Sequence, residues 1–236
     1  MTNNKICVFD FETDGSDPTE CSPVQLSSVI VDPIKLEIVK DSEFNIYLKP
    51  EKLCKAKAVS INNHPYMDSD ILEWHGKVKG VDKAEILESW LTYPDAKHSW
   101  KQFMEYLESY HLFRSGGKKT KFSAPIASGY NIISFDMKIV DRFAKKYGGY
   151  DKKEKGNSIF HPRDKIDIMS LVYIWFRYIP EIKSISLDNI RNYLGIDATN
   201  AHDAVKDVTD CAEILIRFLK LHKNFVSKIK FKDSFK

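Results

Sequence analysis

The sequence predicts an α/β fold in which helices flank one mixed sheet. Three short segments rich in β-branched and aromatic residues come first, separated by turn-forming clusters such as "TDGSDPTECSP". Further along the chain, predicted strands and helices alternate up to a long helix near the C-terminus. Because no repeat and no clear linker interrupts this order, a single domain over residues 1–236 is expected.

The first half of the chain supplies three predicted strands that form a meander, over Lys5–Glu12, Pro23–Asp32 and Ser42–Leu48. Residues 64–100 are polar and contain Trp, and they are predicted as mixed helix and loop in an insertion or extended connection. A helix is expected over Trp100–Leu112, since its apolar residues recur three and four positions apart.

The second half is predicted to alternate between strand and helix. The stretch "APIASGY" favours a fourth strand, and the helix over Ser134–Lys146 is expected to end at "YGG", where Gly tolerates the left-handed conformation. The run "KIDIMSLVYIWFRY" predicts a short strand leading into a buried helix, and "SLDNIRNYLGI" predicts a short helix that stops at Gly195. The last helix carries a core-facing stripe of Val205, Val208, Ala212, Leu215 and Leu219.

Composition and charge exclude several classes of protein. A net charge of +3 is too small to indicate a nucleic-acid binder by charge alone. The four cysteines are scattered without metal-ligand spacing or a disulfide framework, which favours a reducing compartment. The N-terminus lacks signal-peptide features, and the most apolar run, "MSLVYIWF", is much shorter than the roughly 20 residues that span a bilayer. A cytoplasmic protein without membrane contact is therefore expected.

Two acids stand inside the first predicted strand, in "VFDFETDG". Asp10 and Glu12 are two residues apart, so their side chains project from the same face of the strand, about 6 to 7 Å apart along it. Such a pair suits Mg²⁺, which binds a few carboxylates together with waters and substrate phosphate. Taken alone, however, the pair is more typical of a solvent-facing strand end.

Two further polar patches lie downstream. In "GYNIISFDMKIV", Asp136 falls in the first turn of a predicted helix, where the helix dipole favours a carboxylate in any protein, and Asn131 is typical of a turn. In "NAHDAVKDVTD", His202 and Asp207 are five residues apart, so they share a site only if His202 precedes the last helix or lies in its first turn. Each patch by itself is also typical of ordinary surface positions.

Together, the three patches resemble the motifs of the DEDDh 3′-to-5′ exonuclease family. These motifs are D-x-E-T on the first strand, N-x₃-F-D at a strand-to-helix junction and H-x₄-D opening the last helix. They occur in the family's order and on matching predicted elements, over nearly the whole chain. The family includes the proofreading exonuclease subunits of DNA polymerases, RNase T and oligoribonuclease.

The resemblance implies an RNase H-like mixed sheet of five strands, the second antiparallel to the rest. It also implies a metal-dependent 3′–5′ exonuclease that releases nucleoside 5′-monophosphates from single-stranded nucleic acid. The implied ligands of two divalent cations, Mg²⁺ with Mn²⁺ as a substitute, are Asp10, Glu12, Asp136 and Asp207. The implied general base is His202, and the implied substrate contacts are Phe11, Thr13, Asp14, Gly15 and Asn131.

Several alternatives stay open. A sister group of the family replaces the His motif with Y-x₃-D, which Tyr193 and Asp197 match, although Gly195 between them is typical of a helix end. The expected substrate is DNA, and the alternative is the 3′ end of RNA or a short oligoribonucleotide. A polymerase or replication protein is a candidate partner, and a catalytically silent nucleic-acid-binding module is the rival of another class. The basic tail over residues 225–236 is typical of a solvated end, and nucleic-acid contact is the alternative.

Overall fold

A computed structural model describes residues 3–51, 59–61, 64–67, 69–112, 120–153, 155–197 and 204–229, and for 59–61, 64–67 and 69–71 the backbone only. Its strands are β1 (Ile6–Thr13), β2 (Pro23–Asp32), β3 (Glu37–Ile38), β4 (Phe44–Tyr47), β5 (Val59–Ile61), β6 (His64–Met67), β7 (Ile126–Gly129), β8 (Tyr150–Asp151), β9 (Gly156–Asn157) and β10 (Lys165–Asp167). Its α-helices are α1 (Ser69–Lys79), α2 (Lys83–Thr92), α3 (Ala96–Ser109), α4 (Asp136–Tyr147), α5 (Ile168–Phe176), α6 (Leu187–Leu194) and α7 (Ala204–Lys228).

The central sheet of the described residues runs in the order β10-β7-β1-β2-β3, and β4 also pairs with β2. Strand β1 is parallel to β7, which is parallel to β10, whereas β2 is antiparallel to β1, β3 and β4. The predicted mixed sheet with its second strand reversed is therefore confirmed. It has six strands instead of five because the turns at Leu36 and Asp41, with φ of 58° and 57°, divide the outer edge of β2 between β3 and β4.

The helices lie close to their predicted positions. Residues 64–100, predicted as mixed helix and loop, contain β6, α1, α2 and the start of α3. Helix α3 begins four residues before the predicted start because the Asp95 side chain accepts the backbone N–H of Lys97 at 2.9 Å and caps the helix there. Helices α4 and α6 end as predicted, at glycines that take φ of 118° at Gly148 and 66° at Gly195.

The two faces of β1 bury different parts of the core. Cys7, Phe9 and Phe11 pack on one face in a cluster with residues of α3 and α4. Ile6 and Val8 pack on the opposite face with residues of α5, α6 and α7. Because side chains alternate along a strand, Asp10 and Glu12 continue the second face toward the start of α7. Helix α7 covers the apolar part of that face, and the last two positions of the face carry carboxylates.

Helix α5 corrects one prediction. It was expected to be buried, but only Ile168 and Val172 are, whereas Tyr173, Ile174 and Trp175 are 47%, 63% and 38% exposed. The sequence is apolar on every side of the helix, so periodicity gave no indication of which side meets the sheet. Ile168 and Val172, which lie one above the other on the helix, are its buried contacts, and Leu171 and Phe176 pack against the same cluster as partly buried side chains. No helix among the described residues has the length and apolar character needed to cross a bilayer.

Candidate active site

The site is built at the C-terminal end of β1. Asp10 pairs with Ser27 of β2 and Glu12 with Gln25, and the ladder shifts register between Glu12 and Thr13. Both acids are partly exposed, unlike the fully buried Val8 before them. Only the face that carries the two acids becomes accessible here, since Phe11 between them stays buried on the opposite face, and the two acids share one face as predicted from their spacing.

Asp136 reaches the same end of β1 from the first turn of α4. Its side chain is 2% exposed, and its Oδ1 accepts the backbone N–H of Phe11 at 3.1 Å. Burial raises the pKa of Asp136, as do the charges of Asp10 and Glu12, and the Phe11 hydrogen bond acts in the opposite direction. The bond places this carboxylate beside the backbone that joins Asp10 to Glu12.

Asp207 approaches from the first turn of α7, on the face that carries Asp10. The pKa of Asp10 rises to about 7 because burial disfavours its charge and because the Asp207 carboxylate repels it, while the Arg191 guanidinium opposes both effects. The Asp207 carboxylate is therefore within electrostatic range of Asp10. The structure thus places Asp10, Glu12, Asp136 and Asp207, predicted as one set, around the end of β1.

Arg191 is a residue of the site that the sequence analysis missed. It lies on α6, and its Nη2 donates to Asp207 Oδ1 at 2.5 Å. A signal was present in the sequence, since Leu187, Ile190, Arg191 and Leu194 recur at helical spacing and put an arginine into an apolar stripe. An arginine at such a position is almost never buried without a partner. The sequence did not reveal which acid that partner is.

Three of the predicted substrate contacts, Thr13, Asp14 and Gly15, lie at the end of β1. Thr13 Oγ1 donates to the Gly15 carbonyl at 2.7 Å, and Asp14 Oδ1 accepts the backbone N–H of Ser22 at 2.6 Å. All three residues are buried, and the second bond joins the end of β1 to the residue before β2. Phe11, the fourth predicted contact, is 5% exposed in the apolar cluster.

His75 of α1 was also missed by the sequence analysis. It is 3% exposed, and its Nε2 lies 3.0 Å from the Thr13 carbonyl oxygen. Burial lowers the pKa of His75, which favours the neutral imidazole. This contact links the turn after β1 to the helices of residues 64–100.

Asn131, the fifth predicted substrate contact, lies in the turn between β7 and α4. Its φ of 60° is left-handed, a conformation that asparagine tolerates better than most residues. Its backbone N–H donates to Asp167 Oδ1 at 3.1 Å. At the start of the turn, a Cβ on Gly129 would lie 2.6 Å from the Phe9 carbonyl oxygen, so only glycine allows β7 to approach β1 this closely.

His202, the predicted general base, lies outside the described residues. The described part of α7 begins two residues later, at Ala204. For the competing Y-x₃-D motif, Tyr193 is 45% exposed on α6, with its ring centroid 5.5 Å from that of Phe176. Asp207, in contrast, lies in the first turn of α7, and its charge raises the pKa of Asp10.

The chemistry of the acids fits a hard divalent cation. Their donors are all carboxylate oxygens, which Mg²⁺ and Mn²⁺ prefer. Repulsion from Asp207 helps to raise the pKa of Asp10, and a bound cation would relieve it. Among the described residues, however, no three His, Cys, Asp or Glu side chains converge closely enough to hold a metal ion. The donor types fit, and binding requires the carboxylates to draw together.

The fold and the acidic end of β1 define a structural class, the RNase H-like α/β fold of exonuclease I. The chain is similar to Escherichia coli exonuclease I in complex with a dT13 oligonucleotide, with 16% identity and a TM-score of 0.65 over 95% of this chain and 43% of that one. It is also similar to the zinc-bound complex of that enzyme with single-stranded DNA, with 18% identity and a TM-score of 0.60 over 91% and 40%. A third similar structure is exonuclease I from Methylocaldum szegediense, with 18% identity and a TM-score of 0.58 over 90% of this chain and 40% of that one.

These similarities establish the fold, and the chain spans about two fifths of the length of the structures it matches. No protein-family model matches the sequence, and neither does any curated protein. The predicted RNase H-like fold is therefore confirmed at the level of structure.

Proposed function

We propose that this chain is a metal-dependent 3′–5′ exonuclease that hydrolyses single-stranded DNA from its 3′ end and releases nucleoside 5′-monophosphates. One observation carries the proposal. In a fold shared with exonuclease I, β1 presents Asp10 and Glu12 at the end where Asp136 of α4 and Asp207 of α7 arrive. These four acids are the carboxylates of the motif set that the sequence resembles.

The acids are proposed to hold two divalent cations. Asp10, Glu12 and Asp207 would hold one ion, and Asp10 would also contribute to the second, on which Asp136 would act indirectly. The bound cations would stabilise the charge that develops on a phosphodiester during in-line displacement. Asp136 is suited to an indirect role because its Oδ1 already accepts the Phe11 N–H.

His202 is proposed as the general base that takes the proton from the attacking water. An unperturbed histidine pKa near 6.5 suits this step at neutral pH. His202→Ala is expected to lower turnover at saturating metal by about 10² to 10⁴-fold, the range typical of general-base catalysis. His98, which is exposed on α3, provides a control variant, and His98→Ala is expected to keep wild-type turnover.

DNA is favoured over RNA as the substrate, because similar structures were determined with dT13 and dA16 oligonucleotides. Those enzymes are longer than this chain, so the preference for DNA over RNA is a proposal for this chain and does not follow from the similarity. An association with a polymerase or replication protein, which the resemblance implies, stays a prediction.

The test is digestion of 5′-labelled single-stranded DNA, duplex DNA and RNA, with and without Mg²⁺ or Mn²⁺. Wild type is compared with Asp10→Ala and with Asp32→Asn, a matched acid variant at the opposite end of the same strand pair. A ladder that shortens from the 3′ end, requires metal and disappears in Asp10→Ala alone is expected. Faster trimming of RNA would support the exoribonuclease alternative, and release of the label as a mononucleotide would contradict the polarity.

A further inference from the structure

Arg191 lies at the centre of an ion-pair cluster between α6 and α7. Its side chain is 0% exposed, and each guanidinium nitrogen has a carboxylate partner. Nε contacts Asp210 Oδ2 at 2.7 Å, Nη1 contacts Asp188 Oδ1 at 3.0 Å and Nη2 contacts Asp207 Oδ1 at 2.5 Å. Because a guanidinium presents its donors in a rigid planar fork, three simultaneous bonds fix its orientation.

Asp210 anchors this cluster. Its side chain is 3% exposed, and while Oδ2 accepts from Arg191, Oδ1 accepts from Lys206 Nζ at 2.5 Å. A buried carboxylate held at both oxygens has little freedom to rotate. The guanidinium is therefore fixed against a rigid partner, and its Nη2 reaches Asp207 from a fixed position.

We infer that Arg191 is a positioning residue that orients the Asp207 carboxylate for the divalent cation, an inference that rests on the proposed function. Hydrogen bonds to a ligating carboxylate orient it before metal arrives, and removing such a bond typically weakens metal affinity by about 10 to 100-fold. Asp207 lies in the first turn of α7, the helix that packs on the face of β1 that carries Asp10. Its orientation therefore decides whether α7 and β1 present their oxygens to the same ion.

A direct contact between Arg191 and substrate does not fit the structure. The guanidinium is fully buried, and its three nitrogens are already engaged. Its charge also has little effect on a nearby cation, because Asp188, Asp207 and Asp210 together outweigh Arg191 and Lys206 by one negative charge. We therefore expect orientation to dominate over charge repulsion.

The remaining alternative is that Arg191 only ties α6 to α7. Mn²⁺ affinity separates the two roles, because a purely structural ion pair affects unfolding but not the metal. Titration calorimetry with MnCl₂ alone is carried out on wild type, Arg191→Lys, Asp188→Asn and the double variant R191M/D210N. Lysine keeps the charge without the planar fork, and the double variant removes one positive and one negative charge together. Circular dichroism and thermal unfolding in EDTA establish that each variant is folded.

Arg191→Lys and R191M/D210N are expected to bind Mn²⁺ about tenfold or more weakly than wild type. Asp188→Asn, which removes a half-exposed partner of Arg191 without touching Asp207, is expected to bind like wild type. If both Arg191 variants bound Mn²⁺ as tightly as wild type or more tightly, and differed only in a lower unfolding temperature in EDTA, the inference would be overturned. The proposed function would not be affected by that result. A wild-type protein without measurable Mn²⁺ binding would refute the proposed function and the inference with it.

Discussion

Two aspartates at opposite ends of the β1–β2 pair show how differently this fold treats a carboxylate. Asp32 is 6% exposed at the end of β2, whereas Asp10 is partly exposed in β1. The pKa of Asp32 nevertheless falls to about 2, and that of Asp10 rises to about 7. Folding therefore shifts the pKa values of these two carboxylates in opposite directions.

The groups around each aspartate explain why the two pKa values move in opposite directions. Burial raises the pKa of both acids, but at Asp32 it is outweighed by a hydrogen bond from Lys5 Nζ and by the backbone N–H groups of Lys35 and Ile34. At Asp10 the charge of Asp207 adds to the effect of burial, and Arg191 compensates only in part. The charge of the Asp32 carboxylate is thus compensated by groups of the chain itself. The charge of Asp10 is not fully compensated, and an external cation can supply the missing positive charge.

The largest expected difference between the two acids is in activity. Asp10→Asn removes a proposed metal ligand and is expected to lower the rate of DNA hydrolysis by about 10³-fold or more, within the range that metal and electrostatic stabilisation supply. Asp32→Asn is expected to keep the wild-type rate, measured with labelled oligonucleotide in excess Mg²⁺ at a temperature where both variants are folded. A similar loss of activity in both variants would contradict the proposal that Asp10 binds metal and Asp32 does not.

Divalent metal should stabilise the fold through the Asp10 end of the sheet. A ligand present at 100 times its dissociation constant adds about 2.7 kcal/mol to the free energy of unfolding. Saturating Mg²⁺ is therefore expected to raise the melting temperature of wild type and of Asp32→Asn over that measured in EDTA. The Asp10→Asn variant should show much less of this increase in melting temperature with Mg²⁺. Equal melting temperatures of wild type in Mg²⁺ and in EDTA would contradict the prediction.

Without metal, Asp10 should make stability depend on pH. Its folded pKa of about 7 lies above the ordinary value of 3.8, so its contribution is fully present below about pH 4 and is lost as pH rises to about 7. Asp10→Asn removes this loss. A shift of about three pKa units corresponds to about 4 kcal/mol, and solvent screening at the partly exposed Asp10 reduces the expected gain in stability over wild type to about 2 kcal/mol at pH 8, with no difference at pH 4. Urea unfolding in EDTA at both pH values measures this, and a destabilised Asn variant at pH 8 would contradict it.

Local sequence rules predicted much of the framework and part of the site. Strand alternation placed Asp10 and Glu12 on one face, and Asp136 falls in the first helical turn as predicted. Gly195 ends α6 as predicted because its left-handed conformation is a local property. Each of these features depends on neighbours in the chain.

Features that depend on packing between distant elements were not predictable in the same way. The exposed side of α5 is as apolar as its buried side, so only contact with the sheet distinguishes them. Arg191 meets Asp207 sixteen residues further along the chain, across two helices whose approach no local pattern specifies. The assignment of the four acids to one metal site stays a prediction, and the buried Arg191 beside Asp207 was indicated in the sequence only as an arginine in an apolar stripe.

The smallest expected effect belongs to Asp32. Its folded pKa of about 2 lies below the ordinary 3.8, so its stabilisation is present above about pH 4 and is lost as pH falls to about 2. Because Lys5 is partly exposed, the shift is discounted for solvent screening, and Asp32→Asn is expected to cost about 1 kcal/mol at pH 7 and nothing near pH 2. Urea unfolding of wild type, Lys5→Met, Asp32→Asn and the double variant isolates the ion pair from the two backbone hydrogen bonds. If Asp32→Asn were instead more stable than wild type at pH 7, the contrast with Asp10 would rest on burial and not on partners.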